Sequence, residues 1–348
     1  MNAIFLALGL ALSPAAARPP AEPAAEFPEG AAWFNAKPLS LKMLRGRRAA
    51  VVAFLHPQNL QSLRTLAAVK TWFDRYALYG VMVIGVLTPD FEFQKNPLIA
   101  KRDLARWGIR FPVVQDNDRR LWKAYSNAGW PTLYLVDHAG RIVHSRVGEG
   151  GYEEFEKQIR AVIPFATGSP PPPPEPPFPE PATWNCGSAS AELALGRKAA
   201  ASLTGEDAPP SSDNGQLPYK DGARTRRGAW REDEDSISVT EPNRKLDHYL
   251  GAIYRGRQVF AALEGPLRGT KVFIRQDGEW LHPSFAGPDL KFDDMDRSYV
   301  EVKAPGLFEL IRNNSDDLHE LFLLPEQAGS KIYGLSFADQ CQFLEFPR

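Results

Sequence analysis

Residues 51–55, Val-Val-Ala-Phe-Leu, form an unbroken apolar run that stops at His56-Pro57, and apolar residues then return at Leu60, Leu63, Leu66, Val69 and Phe73. The run is that of a strand buried on both faces and the later spacing that of an amphipathic helix, so the stretch predicts strand, tight loop and helix. A second β-branched run, residues 81–87, is closed by Thr88-Pro89, because Pro89 has no N–H to give to a ladder. Residues 100–107 return to helical spacing and residues 111–114 give another short strand. Strands alternating with helices call for a sheet with a parallel component. Leu121, Trp122 and Tyr125 follow at helical spacing, then apolar residues 133–136, a turn at Asp137-His138-Ala139-Gly140 and a returning hairpin strand at 141–144. Residues 153–163, with Phe155, Ile159 and Val162 on one face, end this half as a helix.

Residues 168–181, GSPPPPPEPPFPEP, break every period. Polyproline II rises about 3.1 Å per residue, so this arm would hold two domains roughly 40 Å apart if extended; a Pro-rich ligand for a partner module is the other reading. Beyond it, short apolar runs such as 258–263, 271–274, 298–302, 307–311, 318–324 and 332–337 are separated by turns at Gly265-Pro266, Asp277-Gly278 and Ala304-Pro305-Gly306. Alternation at Val259, Ala261 and Leu263 predicts an all-β, jelly-roll-like sandwich. Residues 202–235, polar and charged, read as a long loop. The expected organisation is an α/β domain at 33–165, a Pro-rich linker at 166–182 and a β-sandwich at 183–348.

Composition agrees: 348 residues with 43% hydrophobic content suffice for two cores. A formal net charge of -1 gives no overall pull toward nucleic acid or an anionic membrane, and the clusters Arg45-Gly46-Arg47-Arg48 and Arg224-Thr225-Arg226-Arg227 are short enough to be solvated surface. Residues 4–12, IFLALGLAL, are too short to span a bilayer and precede Ser13-Pro14-Ala15-Ala16-Ala17. Residues 1–17 therefore read as a cleaved secretory signal and 18–32, rich in Pro, Ala and Glu, as a flexible lead-in. The expectation is an exported protein, periplasmic or extracellular, with no transmembrane segment.

The motifs Trp33-Phe34-Asn35, Leu44-Arg45-Gly46, Val83-Ile84-Gly85-Val86, Thr88-Pro89-Asp90-Phe91, Asp116-Asn117-Asp118, Trp130-Pro131 and Gly148-Glu149-Gly150-Gly151-Tyr152, in that order, resemble thioredoxin-like (redoxin) proteins of the DipZ and TlpA kind. The resemblance implies a thioredoxin fold over about residues 33 to 163, and a cis bond before Pro131 facing the redox centre. The half after the linker resembles, more loosely, the β-sandwich of DipZ-like proteins. Where the family places Cys-x-x-Cys, this chain has Asn59, Leu60, Gln61 and Ser62, and where it often keeps a buried acid it has Ala53. Disulfide exchange needs a thiolate to attack and a second sulfur to resolve the mixed disulfide, and neither amide nor hydroxyl supplies one. Asn59, Ser62 and Ala53 thus read as a vestigial redox site with no catalytic residue, and His56, Trp130 and Pro131 as the groove beside it.

The two cysteines, Cys186 and Cys341, are expected to pair as a structural disulfide in an exported chain, with buried thiols the alternative. The six histidines show no metal-ligand spacing, and no nucleotide motif is present, so neither metal nor cofactor is expected. His56 near Ser62 has the residue types of a nucleophilic pair but lacks an orienting acid. Trp184, Trp230 and Trp280 are candidates for sugar contacts or for core filling. Glu149, among glycines, is either a site residue or part of a turn. The reading that follows is a redox-inactive thioredoxin-fold protein that binds a polypeptide or glycan and not nucleic acid. The alternatives are a thiol-disulfide oxidoreductase using Cys186 or Cys341, and a carbohydrate-binding module on a thioredoxin platform.

Overall fold

The computed structural model describes residues 22–176, 178–180, 187–198, 211–212 and 218–340. The expected signal at 1–17, Trp184, Cys186 and Cys341 lie outside the described residues.

The first half is a six-stranded sheet in the order β1 (Trp33–Phe34), β4 (Val113–Gln115), β3 (Val81–Leu87), β2 (Ala49–Leu55), β5 (Thr132–Val136), β6 (Ile142–Val147). β2, β3 and β4 are parallel, while β1, β5 and β6 pair antiparallel. Period-two alternation sorts β2 between two cores. Val51, Ala53 and Leu55 face α2 (Leu60–Tyr76), α3 (Pro97–Arg106) and α5 (Tyr152–Thr167), whereas Ala50, Val52 and Phe54 face α1 (Leu41–Leu44), α4 (Arg120–Ala124) and the N-terminal segment. This is the thioredoxin fold.

Two expectations at the edges of this domain are corrected. Residues 22–32 are not a flexible lead-in: Ala24 and Phe27 are buried, Pro23 bridges Arg141, and Glu26 accepts the N–H groups of Leu41 and Lys42 at the start of α1. A stretch poor in apolar residues is held by the few it has. The Pro-rich arm is not an extended spacer either. Glu175 pairs with Arg75 of α2, the Phe178 ring meets Tyr152 at 5.5 Å, and Glu180 accepts the N–H groups of Gly151 and Glu153 at the start of α5. Two acids and one aromatic among the prolines fasten the arm along the first domain.

The second half is two facing, almost wholly antiparallel sheets. One is six-stranded and runs Trp230–Glu232, Ile237–Val239, Lys331–Ala338, Gln258–Glu264, Gly306–Arg312, with Leu193–Ala194 beside Lys331–Ala338. The other is eight-stranded and centred on Thr270–Gln276, Leu318–Pro325 and Tyr249–Arg255. The region expected as a long loop contributes Arg224–Arg227 and Trp230–Glu232 to these sheets, because backbone pairing, not local apolarity, recruits such polar strands. The strand Gln258–Glu264 is buried on both faces. Val259, Ala261 and Leu263 point into the sandwich core, while Phe260 and Ala262 join the core of the thioredoxin-fold domain together with Leu307, Tyr333 and Ala338. One outer face of the sandwich is therefore spent on the first domain.

Candidate functional site

The loop between β2 and α2 opens with His56 and ends at Asn59, which caps α2: its side-chain oxygen accepts the N–H of Ser62 at 2.9 Å. Ser62 Oγ in turn accepts the backbone N–H of His56 at 3.1 Å. The two residues at the cysteine positions are thus tied to each other and to the end of β2. Ala53 is fully buried in β2 between Gly85 and Leu133. The Trp130–Pro131 peptide bond is cis.

His56 is buried, and burial depresses its pKa from 6.5 to about 4 against an opposing pull from Asp90, so the ring is neutral at physiological pH. Its Nδ1 faces the backbone N–H of Gln58 at 3.2 Å and its Nε2 faces the Gln94 amide nitrogen at 3.1 Å. The hydroxyl of Ser62 is engaged with the His56 backbone and not with the ring, so His56 and Ser62 are not a nucleophilic pair. The Gln94 amide also donates to Gln58 Oε1, and Gln58 Nε2 donates to Asp103 Oδ2 at 2.6 Å. Burial raises the Asp103 carboxyl above its ordinary range, opposed by the neighbouring Arg102 guanidinium. A buried polar chain, His56, Gln94, Gln58 and Asp103, therefore stands behind the loop, consistent with the rule that buried polar groups are paired.

In front, His56 and Trp130 pack together beside the cis bond to Pro131. The Trp130 ring packs 5.1 Å from His56 and 4.3 Å from Trp122, and the Arg119 guanidinium lies over both indoles at 4.6 and 5.4 Å. Pro131 is buried at their base. On the other side the sandwich closes in. Tyr333 packs against Phe91 and Phe93 at 4.7 and 5.0 Å, and Phe91 in turn packs against His56 at 5.3 Å. Asn59 Nδ2 donates to Glu192 at 3.4 Å, the Glu92 N–H donates to Asp235 at 3.0 Å, and Arg106 donates to the Leu307 carbonyl at 2.7 Å. Burial in the seam, with Asp90 nearby, pushes the Glu192 carboxyl up to about 7, although water still reaches it and screens its charge. Between the domains a cleft of about 390 Å³ stays open, lined by Asp90, Phe91, Glu92 and Arg119 on one side and by Lys198, Glu234 and Asp235 on the other.

Other candidates resolve structurally. Glu149 forms a two-point ion pair with Arg64, at 2.6 and 2.7 Å, that fixes the glycine turn. Trp230 packs at the edge of the sandwich core and donates to the Arg227 carbonyl, whereas Trp280 lies on the outer face near Phe273 and Arg275. Among the described residues no group of three or more His, Cys, Asp or Glu is arranged to hold a metal. The residues that sequence reading missed are Gln58, Gln94, Asp103, Glu192 and Tyr333. One signal was available: Asp103 shares the apolar stripe of its helix with Ala100 and Leu104, an unusual place for a carboxylate.

No protein-family model matches the chain. It is 34% identical over 134 residues to Protein DipZ of Mycobacterium tuberculosis, covering 38% of this chain and 19% of that protein. It is 24% identical over 92 residues to the thiol-disulfide oxidoreductase ResA of Bacillus anthracis, covering 26% of this chain and 50% of ResA. A thiol-disulfide isomerase from Corynebacterium glutamicum superposes with a TM-score of 0.37 at 22% identity, over 40% of this chain and 96% of that one. The chain thus spans about one fifth of the length of the DipZ protein it matches.

Proposed function

We propose that this chain is a redox-inactive thioredoxin-fold protein of the cell envelope, which binds polypeptide along the open cleft beside Trp130 and Pro131. The observation that carries the reading is the bonding at the start of α2. Asn59 and Ser62 hold no sulfur, and their polar atoms are committed to the helix cap and to the His56 backbone. With His56 neutral and walled in, the loop offers neither a nucleophile nor a proton carrier at neutral pH. What remains open is a recognition surface: the cleft mixes the Phe91 side chain with charges of both signs and adjoins the indoles under Arg119, features suited to an extended chain. The likeness to ResA and DipZ supports the scaffold, and the apolar segment at residues 4–12 supports an exported location.

The test is an anisotropy titration with a labelled, reduced and carboxymethylated insulin B chain. Trp130→Ala, and Asp90→Lys at the cleft rim in case the indole is needed for folding, should each weaken binding by about tenfold, a loss of roughly 1.4 kcal/mol. Equal affinity in wild type and both variants contradicts the reading.

A second reading, glycan binding by the sandwich, is favoured by one observation. The outer face of the eight-stranded sheet carries Trp280, Tyr299 and Phe322, with Lys271 and Arg275 over the Tyr299 and Trp280 rings. Glycan-array binding that is lost in Trp280→Ala would support it.

A further inference from the structure

The end of the thioredoxin-fold domain remote from the cleft carries a surface that nothing above uses. It gathers the chain's entry, the ends of α2 and α5, and the first basic cluster. Gly46 donates to the His138 carbonyl at 2.7 Å, Ala49 donates to the Gly80 carbonyl at 2.9 Å, and Gly80 lies against Thr167. The Phe165 ring stacks on His138, and the Arg45 guanidinium lies beside Gly140. Three apolar side chains stand out from these segments into solvent: Leu78 at 96% exposure, Phe165 at 73% and Met43 at 67%. Around them lie exposed Lys42, Arg45, Arg47, Arg48 and Arg141. The carboxylates here are Asp137, 4.0 Å from Arg141, Glu22 and Glu26, the latter bound to the start of α1, and, in or beside the last turn of α2, Asp74 and Glu175, which pair with Arg110 and Arg75. Arg45, Arg47 and Arg48 form no ion pair among the described residues. Although the whole chain is near neutral, this end is locally cationic.

The N-terminal segment reaches the same place. Ile142 donates to the Glu22 carbonyl at 2.8 Å, and Ala24 donates to the Gly140 carbonyl at 3.0 Å. The apolar run 4–12 ends ten residues before Glu22, a span of at most about 35 Å when extended.

We infer that this end of the domain rests on an anionic lipid surface. Arginines without carboxylate partners, set among isolated protruding apolar side chains, match phosphate headgroups above an acyl boundary. A protein partner would favour a continuous apolar patch, and the uncharged run 4–12 folded back on this end would leave the arginines unanswered. The sandwich docks at the opposite end, so the cleft would face away from the lipid.

The test is co-sedimentation of the chain from residue 18 onward with vesicles of phosphatidylcholine alone or with phosphatidylglycerol added, with folding checked by circular dichroism. All described elements lie beyond that start. Binding is expected only to the anionic vesicles and should fall with salt. Arg45→Glu/Arg47→Glu/Arg48→Glu should lower it on the order of a hundredfold, and Leu78→Ser/Phe165→Ser about tenfold. A charge-matched control in the sandwich, Arg244→Glu/Lys245→Glu/Arg268→Glu, should leave it unchanged. Equal binding to both vesicles, no binding, or an equal loss in the control overturns the inference. So does weaker binding by the chain from residue 1, which would show the run 4–12 covering this end, or a dimer in sedimentation that Phe165→Ser dissolves.

Discussion

The two ends of the thioredoxin-fold domain have been treated in opposite ways. At the end where α2 begins, each polar side chain of the loop has an internal partner, and a second domain is packed alongside: Asn59 with Ser62, Gln58 with Asp103, Tyr333 against Phe91. At the end where α2 finishes, Arg45, Arg47 and Arg48 form no ion pair among the described residues, and Leu78 and Phe165 are exposed. A fold whose chemistry depends on an exposed thiolate at a helix start could not tolerate the first arrangement, since a buried thiol is inert. Under the function proposed above, the start of α2 serves as a structural joint, while the far end presents the features of a contact surface.

If the joint is structural, its aromatic centre should matter most. Tyr333 is buried between the domains, and its hydroxyl donates to Glu264. Tyr333→Ala is expected to cost about 3–5 kcal/mol in guanidinium unfolding, the range for truncating a large buried aromatic. A cost below 1 kcal/mol would mean the domains do not depend on their contact.

Protonation sharpens the same comparison. The folded pKa of His56, about 4, lies below the unfolded value of 6.5. The unfolded chain therefore takes up a proton that the buried ring refuses. Its contribution to stability is complete above pH 6.5 and lost as pH falls from there to about 4, a change of about 3 kcal/mol. Glu192 acts with the opposite sign: its folded pKa, raised to about 7, makes the folded state less stable as pH rises through that value, by an amount that solvent screening reduces. Unfolding measured across pH 4 to 7 should rise less steeply in His56→Gln and more steeply in Glu192→Gln. The same slope in all three proteins would break the assignment.

The cap gives the smallest effect. Asn59→Ala should destabilise by about 1 kcal/mol, the usual value for an N-cap, measured by thermal melting.

Much of the first domain was legible in the sequence because its strands are continuous apolar runs and its helices keep strict spacing: residues 51–55 and Leu60 to Phe73 specify β2 and α2 almost without context. The lack of sulfur at Asn59 and Ser62 was legible directly. What filled that absence was not. Gln58, Gln94 and Asp103 lie 36 and 45 residues apart along the chain, and no local pattern joins them. The arm was misread because polyproline spacing describes an isolated chain, whereas Glu175, Phe178 and Glu180 find partners on α2 and α5. The second face of Gln258–Glu264 was hidden for a related reason: Phe260 and Ala262, out of phase with Val259 and Leu263, read as ordinary strand residues until another domain covers them.

The central claim is that the start of α2 no longer supports thiol chemistry. Its most direct test is dithiothreitol-driven insulin reduction by the wild type, by Cys186→Ser/Cys341→Ser and by Asn59→Cys/Ser62→Cys. Background rates are expected for the wild type and the cysteine-free variant alike, with the third variant the only one able to depart from them. Turnover in the wild type that disappears with Cys186 or Cys341 would contradict it.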